Sequence, residues 1–234
     1  MSIQSQIDRI IGEVKTQEAK IAQIKAALEG KAAGGGGGGT DTRFKDFFEG
    51  TLTEIYDDTI TKLKGYAFRS HITIKSITLP NVTSVGTNTF RECSELHTLD
   101  LPKLTAAVTY MCEGCDVLKN LNIPNVTAIN NYAFRYCASL ERVEVGDCSS
   151  IGANSFNGAS KLTTLIIRRT GTKATALTAT TAFYNTPIES GTGYIYVPSD
   201  LVDTFKSASN WTTYAAQIRA IEDYPEICGA DIDW

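Results

Sequence analysis

Residues 112 to 115 read Cys-Glu-Gly-Cys, and two cysteines at this spacing can bind zinc or form a redox-active dithiol. Cys93 and Cys137 lie one 22-residue step before and after Cys115, so a site of four thiolates is one interpretation. The other is that Cys115 belongs to a row with Cys93 and Cys137, whereas Cys112 stands in a row that otherwise holds phenylalanine. Stacked turns point the side chains of a row in parallel, but zinc requires ligands that converge tetrahedrally. We therefore predict buried structural thiols, with no metal and no other cofactor.

The other residues that could do chemistry do not form a catalytic pattern. The two histidines, His71 and His97, have no nucleophile at a matching spacing, and no glycine-rich loop is suited to holding a phosphate. Asn81, Asn125 and Asn210 each begin an Asn-x-Thr glycosylation triplet, but the first two fall in predicted turns. We predict that the protein is not an enzyme.

The composition narrows the class of protein. The chain has 234 residues, of which 42% are hydrophobic and 21% charged, and a net charge of −4. These values are typical of a globular protein and unlike those of a nucleic-acid-binding protein. No run of apolar residues is long enough to predict a membrane span. The opening residues lack the features of a secretory signal, so we expect the cysteines to stay reduced in a cytoplasm.

The N-terminal part ends at six consecutive glycines, Gly34–Gly39, which predict a flexible tether because glycine loses the most backbone entropy on ordering. Before the tether, eight positions alternate at spacings of three and four, as at the a and d positions of a coiled coil, and all but the polar Gln17 are aliphatic. The positions are Ile3, Ile7, Ile10, Val14, Gln17, Ile21, Ile24 and Leu28. Isoleucine at both positions favours a homotrimer. Like charges at the flanking positions do not support a parallel assembly, and a lone helix docked on another surface is the alternative.

The residues after the tether repeat with a period of 22. Such a period is typical of a solenoid, in which each turn buries one face against its neighbours. Six rows carry the repeat: Phe68, Phe90, Cys112, Phe134, Phe156; Ile74, Leu96, Leu118, Leu140, Leu162; Ile77, Leu99, Leu121, Val143, Leu165; Leu79, Leu101, Ile123, Val145, Ile167; Val82, Leu104, Val126, Cys148; and Val85, Ala107, Ile129, Ile151. Residues 44–65 fit more loosely, as expected of a first turn.

The pattern within a turn predicts an α/β solenoid. Alternating runs such as Leu-His-Thr-Leu-Asp-Leu-Pro predict short strands with one face inward, which would lie side by side in a parallel sheet. Pro80, Pro102 and Pro124 end these strands. The Tyr-Ala-Phe and Asn-Thr-Phe pieces predict a tight helical turn on the opposite side. Ser199 and Asn210 predict the starts of two helices that cap the open end.

Two segments, LPNVTSVGTNTFRECSELHTLDLPKLT and LNIPNVTAINNYAFRYCASLERVEV, resemble the BspA-like leucine-rich repeat family. They share its Leu-x-Leu-Pro, Ile-Gly-x-x-Ala-Phe and Phe-x-x-Cys signatures, over about residues 50 to 198. The resemblance implies leucine-rich repeats with a role in adhesion or recognition and no catalysis. The opening residues MSIQSQIDRI resemble the starts of tail-associated proteins of phages and prophages.

These observations divide the chain into five parts. They are a coiled-coil helix at 1–31, a glycine-rich linker at 32–40, the solenoid at 41–198, a helical C-terminal cap at 199–224 and a tail at 225–234.

The outward side chains of the strands are the predicted ligand-binding residues, because solenoids use a concave sheet for recognition. They are Ser76, Thr78, Thr98, Asp100, Asn120, Asn122, Arg142, Glu144, Thr164 and Ile166. Short polar side chains favour hydrogen bonds with a glycan or a polar protein surface over an apolar pocket. The alternative is that these positions are merely solvated.

The sequence therefore predicts a recognition or adhesion module, in which an oligomeric helix presents the solenoid to a protein or glycan receptor and gains affinity by multivalency. We expect it in a phage tail, or in the bacterial cytoplasm before virion assembly, rather than at a cell surface. The alternative is a structural protein of a virion or cell surface that joins other proteins through helix and solenoid. Neither nucleic-acid binding nor membrane insertion is expected.

Overall fold

The computed structural model describes residues 53–229, all within the second of the two units into which the chain divides, Thr40–Trp234. The eight predicted coiled-coil positions and the tether lie outside the described residues. The strands are β1 (Glu54–Tyr56), β2 (Lys62–Leu63), β3 (Ser76–Thr78), β4 (Ser84–Val85), β5 (Thr98–Asp100), β6 (Ala106–Ala107), β7 (Asn120–Asn122), β8 (Ala128–Ile129), β9 (Arg142–Val145), β10 (Ser150–Ile151), β11 (Thr164–Ile167), β12 (Ala176–Leu177), β13 (Tyr194–Val197) and β14 (Ile218–Ala220). The α-helices are α1 (Pro187–Ser190), α2 (Val202–Ser207) and α3 (Pro225–Cys228).

The predicted parallel strands are confirmed. Strands of three or four residues form two parallel sheets, in the orders β1-β3-β5-β7 and β9-β11-β13-β14. Their register follows the sequence repeat, since Ile77 pairs with Leu99 and Leu99 with Leu121. A second set of two-residue strands, which sequence reasoning missed, pairs in the orders β2-β4 and β6-β8-β10-β12. Each turn therefore contributes one longer and one shorter strand, as in a solenoid.

The predicted tight turn around each phenylalanine is present, but its predicted helical form is wrong, because the repeats from residue 53 to residue 179 contain no helix. The backbone there is left-handed twice per turn, for example at Tyr66 (φ 65°) and Ser70 (φ 58°), and helices do not tolerate this conformation. Alternate backbone amides bond to the following turn. The N–H of Phe68 donates to the Thr89 carbonyl at 2.8 Å, and that of Ser70 to the Arg91 carbonyl at 2.7 Å.

The six predicted rows form the core, and each of their residues is at most 8% exposed. In the phenylalanine row, successive rings stack in parallel with centroids 5.6 Å apart for Phe68 and Phe90, and 5.5 Å apart for Phe134 and Phe156. Cys112 interrupts this stack. Its neighbour Met111 is fully buried at a position where other turns hold Ala67, Thr89, Ala133 and Ser155.

A ladder of hydroxyl groups joins successive turns on the surface. Each hydroxyl donates to the carbonyl oxygen of the residue one repeat earlier. The donors are Thr83 (3.3 Å), Thr105 (3.1 Å), Thr127 (3.0 Å) and Ser149 (2.9 Å). Side-chain hydroxyls therefore donate hydrogen bonds to backbone carbonyls along the stack, and each bond spans one sequence repeat.

The C-terminal end differs from its predicted form in two places. Ser199 does not cap a helix with its side chain, and its backbone N–H donates to Glu222 at 2.9 Å. The segment from Trp211 is a 3-10 helix to Gln217 and then the strand β14, so Ile218 lies in the sheet rather than on a helix. The indole of Trp211 donates to the Thr175 carbonyl at 2.6 Å, which satisfies backbone beside β12.

Candidate functional site

The Cys-Glu-Gly-Cys motif divides between two rows, as its spacing predicts. The Sγ of Cys115 lies 3.0 Å from the Phe90 carbonyl oxygen, and the thiols of Cys93 and Cys137 make the same bond to carbonyls 25 residues earlier, at 2.9 Å and 3.2 Å. Burial raises the pKa of the thiols of Cys93, Cys112, Cys115 and Cys137 above the ordinary cysteine value. A thiol that stays protonated is a poor nucleophile. Within residues 53–229 no group of His, Cys, Asp and Glu is arranged to hold a metal ion.

Glu113, inside the same motif, is a buried carboxylate between two arginines. Its residue is 3% exposed. Its Oε2 lies 2.7 Å from Nε of Arg91, and its Oε1 contacts Nη2 of Arg135. A buried charge with partners on both sides is electrostatically satisfied. The carboxylate therefore holds arginines of the preceding and following turns in fixed positions.

The remaining candidate side chains have structural partners. Burial lowers the pKa of His71 to about 4, and Nδ1 of His97 lies 2.8 Å from the Glu95 carbonyl oxygen. The amides of the three glycosylation-like triplets each donate to a backbone carbonyl: Asn81 to Asp58 (2.6 Å), Asn125 to Pro102 (2.7 Å) and Asn210 to Leu177 (2.7 Å). These side chains join neighbouring parts of the chain. None of the described helices is long and apolar enough to cross a membrane.

The ten predicted ligand-binding residues do not share one environment. The six on β3, β5 and β7 are partly exposed and stand in two registered rows, which we call the open strand face: Ser76, Thr98, Asn120; and Thr78, Asp100, Asn122. Hydrogen bonds run along each row, from Asn120 Nδ2 to Thr98 Oγ1 at 3.3 Å and from Asn122 Nδ2 to Asp100 Oδ1 at 2.8 Å. Their binding role stays a prediction.

The predicted accessibility of Ile166 is wrong. Its side chain is outward on β11 but 0% exposed, because residues 221–229 fold over it. We call residues 221–229 the C-terminal segment. Arg142, another predicted ligand-binding residue, donates from Nη1 to the Ile227 carbonyl at 2.7 Å, and also contacts Glu144 at 2.6 Å. The chain therefore covers part of its own strand face.

Sequence reasoning missed a surface on the opposite side of the repeats, which we call the Tyr–Arg row. Its members are Tyr66, Arg69, Arg91, Tyr110, Tyr132, Arg135 and Tyr136. Tyr110 and Tyr132 stack with centroids 4.9 Å apart, and the Arg135 guanidinium lies 4.9 Å from the ring centroids of both Tyr132 and Tyr136. The signal was available, since Tyr66, Tyr110 and Tyr132 stand at multiples of the repeat.

Comparisons with known proteins find similarity in the repeats. The family model described as BspA type leucine rich repeat region matches six copies, over residues 61–189 and 109–210. No curated protein matches the chain. A crystal structure of a leucine rich cell surface protein from Faecalibacterium prausnitzii A2-165 is similar at 23% identity and a TM-score of 0.45. The similarity covers 51% of this chain and 32% of that one, so the matched part spans about a third of that structure's length.

Proposed function

The chain belongs to the BspA-type leucine-rich repeat family, and on this premise we propose that it is a non-catalytic recognition module whose open strand face binds a protein or glycan receptor. The observation that carries the proposal is the pair of registered polar rows on β3, β5 and β7. Their hydroxyl, amide and carboxylate groups are partly exposed and fixed in position by the sheet. Such an array can exchange several hydrogen bonds with a polar partner without a deep pocket.

The experiment is a binding assay of the full chain against a glycan array and target bacterial cells. The test variant is Thr98→Ala combined with Asn120→Ala, which removes a hydrogen-bonding pair without touching the core. We expect binding to fall at least about tenfold, the effect of losing roughly 1.4 kcal/mol of contacts. The matched control is Thr105→Ala, on the hydroxyl ladder. Equal binding by wild-type and test variant, with an unchanged circular dichroism spectrum, would remove the open strand face from consideration.

The second part of the proposal concerns the assembly of the protein into a homotrimer and a phage tail. The eight coiled-coil positions from Ile3 to Leu28 would join copies into a homotrimer, and the glycine tether would let each solenoid reach its receptor independently. The resemblance of the opening residues supports a place in a phage tail. Light scattering of the intact chain tests the trimer, and mass spectrometry of purified virions from a host that carries the gene tests the tail. A monomer at tens of micromolar, or virions without the protein, would each refute the corresponding part.

The alternative is a structural protein that joins other proteins, and the Tyr–Arg row favours it. Tyrosine and arginine dominate the residues that hold protein interfaces together. Here Glu113 already fixes Arg91 and Arg135, so little side-chain freedom would be lost on binding. Tyr136→Ser combined with Tyr66→Ser separates the two proposals. It should weaken a scaffolding contact and leave receptor binding by the open strand face unchanged.

A further inference from the structure

The C-terminal segment lies in a site with an apolar floor. Ile166 and Tyr196 form that floor, and Cys228 is buried against them. Tyr224 meets the Tyr196 ring edge-to-face at a centroid distance of 5.4 Å, and Ile227 packs on the same cluster. The floor belongs to β11 and β13, so it continues the strand face beyond the open rows.

Two arginines complete the site at the end of the segment. Nη1 of Arg142 donates to the Ile227 carbonyl, and Nη2 of Arg168 donates to the Cys228 carbonyl. Glu144 lies between them and accepts from Arg142 at 2.6 Å and from Arg168 at 2.5 Å. One carboxylate therefore fixes two guanidinium groups, which leaves a net positive charge facing two neutral carbonyl oxygens. A carboxylate in the place of those carbonyls would make stronger, charge-assisted hydrogen bonds.

The C-terminal segment buries little of its own surface. Of its nine residues only Cys228 is buried, and the others are partly or largely exposed. Segments with little buried surface open at a lower free energy than the core of the same protein. The strands therefore form the site, whereas its occupant has little buried surface to oppose opening.

We propose that the face formed by β9, β11 and β13 is a docking site for a partner peptide that carries an apolar side chain next to a carboxylate. The C-terminal segment occupies it as an intramolecular ligand and must open before the partner binds. The fraction of open chains then scales the apparent affinity for the peptide. The proposal is independent of binding by the open strand face, because it uses none of Ser76, Thr98 or Asn120.

Opening is measured through the thiol of Cys228, a residue that is 1% exposed in the closed form. The full-length protein is treated with a thiol reagent, and the six cysteines are followed separately by peptide mass spectrometry. We expect Cys228 to react before the other five. Replacing both clamp residues, Arg142→Gln with Arg168→Gln, should raise its rate about tenfold for each charge-assisted hydrogen bond lost. Arg69→Gln, an arginine on the Tyr–Arg row, is the control and should leave the rate unchanged.

Docking is measured with a peptide that copies residues 221–229 and ends in a free carboxylate, next to the same peptide ending in an amide. We expect the carboxylate form to bind full-length Ile227→Ser, in which the occupant has lost an apolar anchor, at least about tenfold more tightly than the wild type. It should also bind more tightly than the amide form. Adding Arg142→Gln and Arg168→Gln to Ile227→Ser should abolish binding. Tyr224→Ala serves as a second opening variant if Ile227→Ser does not fold.

Three results would overturn the proposal. One is that Cys228 reacts only together with the core thiols of Cys93, Cys115 and Cys137, because the segment would then be a permanent part of the fold. Another is that the peptide binds the opened chain equally well with and without the two arginines. A peptide that binds in neither terminal form has the same consequence.

Discussion

The thiol of Cys115 donates to the carbonyl oxygen of Phe90, one turn earlier in the solenoid, at 3.0 Å. The same carbonyl accepts the backbone N–H of Cys93 at 3.2 Å. A cysteine in this row is therefore both a small apolar side chain and a hydrogen-bond donor between turns. This dual role explains why the row holds cysteine three times.

Removing this donor tests that role. Cys115→Ala should lower the free energy of unfolding by about 1 to 2 kcal/mol, because a hydrogen bond and the packing of a sulfur atom are both lost. Cys115→Ser should lower the free energy of unfolding by less, because its hydroxyl can still donate to the Phe90 carbonyl oxygen. Urea unfolding of the full chain followed by circular dichroism measures both. Wild-type stability of the alanine variant would show that the bond contributes nothing.

The pair Met111–Cys112 offers a test of packing in the phenylalanine row. Cys112→Phe alone should destabilise by about 1 to 3 kcal/mol, because the fully buried site has no room beside Met111. Met111→Ala with Cys112→Phe restores the pattern of the other turns, and should recover at least about 1 kcal/mol relative to the sum of the single variants. A double-mutant cycle in urea measures this coupling. Additive effects would mean that the two residues do not share the space.

Gly114 and Gly158 both have left-handed backbone, so their substitution by alanine separates the cost of backbone strain from that of a steric clash. Gly114 has φ 73°, and a Cβ there would meet nothing closer than 3.6 Å, so Gly114→Ala should cost about 1 kcal/mol from backbone strain alone. Gly158 has φ 77°, and a Cβ there would lie 2.5 Å from Cδ1 of Tyr136. Gly158→Ala should therefore lower the melting temperature further. Adding Tyr136→Ser should bring it back to the level of Gly114→Ala, and a failure to do so would count against the clash.

The free energy of unfolding should decrease as pH falls from 6.5 towards 4, because of His71. Its pKa is about 4 in the folded chain and about 6.5 in the unfolded chain, and burial is the cause. The unfolded state therefore binds more protons between these values, so the contribution of neutral His71 is present above pH 6.5 and is lost as pH falls towards 4. We expect a loss on the order of 1 to 2 kcal/mol, given partial exposure of the ring to solvent. His71→Cys, the residue that later turns use, should flatten the profile of unfolding free energy against pH in this window. His97→Gln should leave it unchanged, and an identical slope in His71→Cys would assign the dependence to other groups.

The sequence repeat predicts those features of the fold that arise from contacts between neighbouring turns, namely the strand register and the core. Rows such as Ile77, Leu99 and Leu121 determine the strand register and the core, because each residue packs against its equivalent one turn away. The turn around each phenylalanine was predicted to be helical because most of its left-handed positions hold residues such as Tyr66 and Tyr132, and only Gly114 and Gly158 are glycines.

The candidate site was predicted only in part. Alternation correctly placed Ile166 on the outer face of its strand, but its cover comes from Ile227, 61 positions later and outside the repeat. A contact of this kind has no periodic signal. The Tyr–Arg row did have one, and it was overlooked because an aromatic row is ordinarily assigned to a core.

The hydroxyl ladder also determines which insertions the regular turns of the solenoid can accept. Every rung joins residues one repeat apart, so a second copy of residues 83–104 placed after residue 104 would find each donor and acceptor already in place. An insertion of another length between Thr83 and Ser149 would move the later donors away from their acceptors, whereas the turns after Ser149 are already longer, since Ser150 pairs with Ala176 and Thr164 with Tyr194. Among the regular turns, duplication or deletion of a whole repeat therefore preserves the ladder. Each such event would widen or narrow the polar face by one strand while both ends of the stack keep their own contacts.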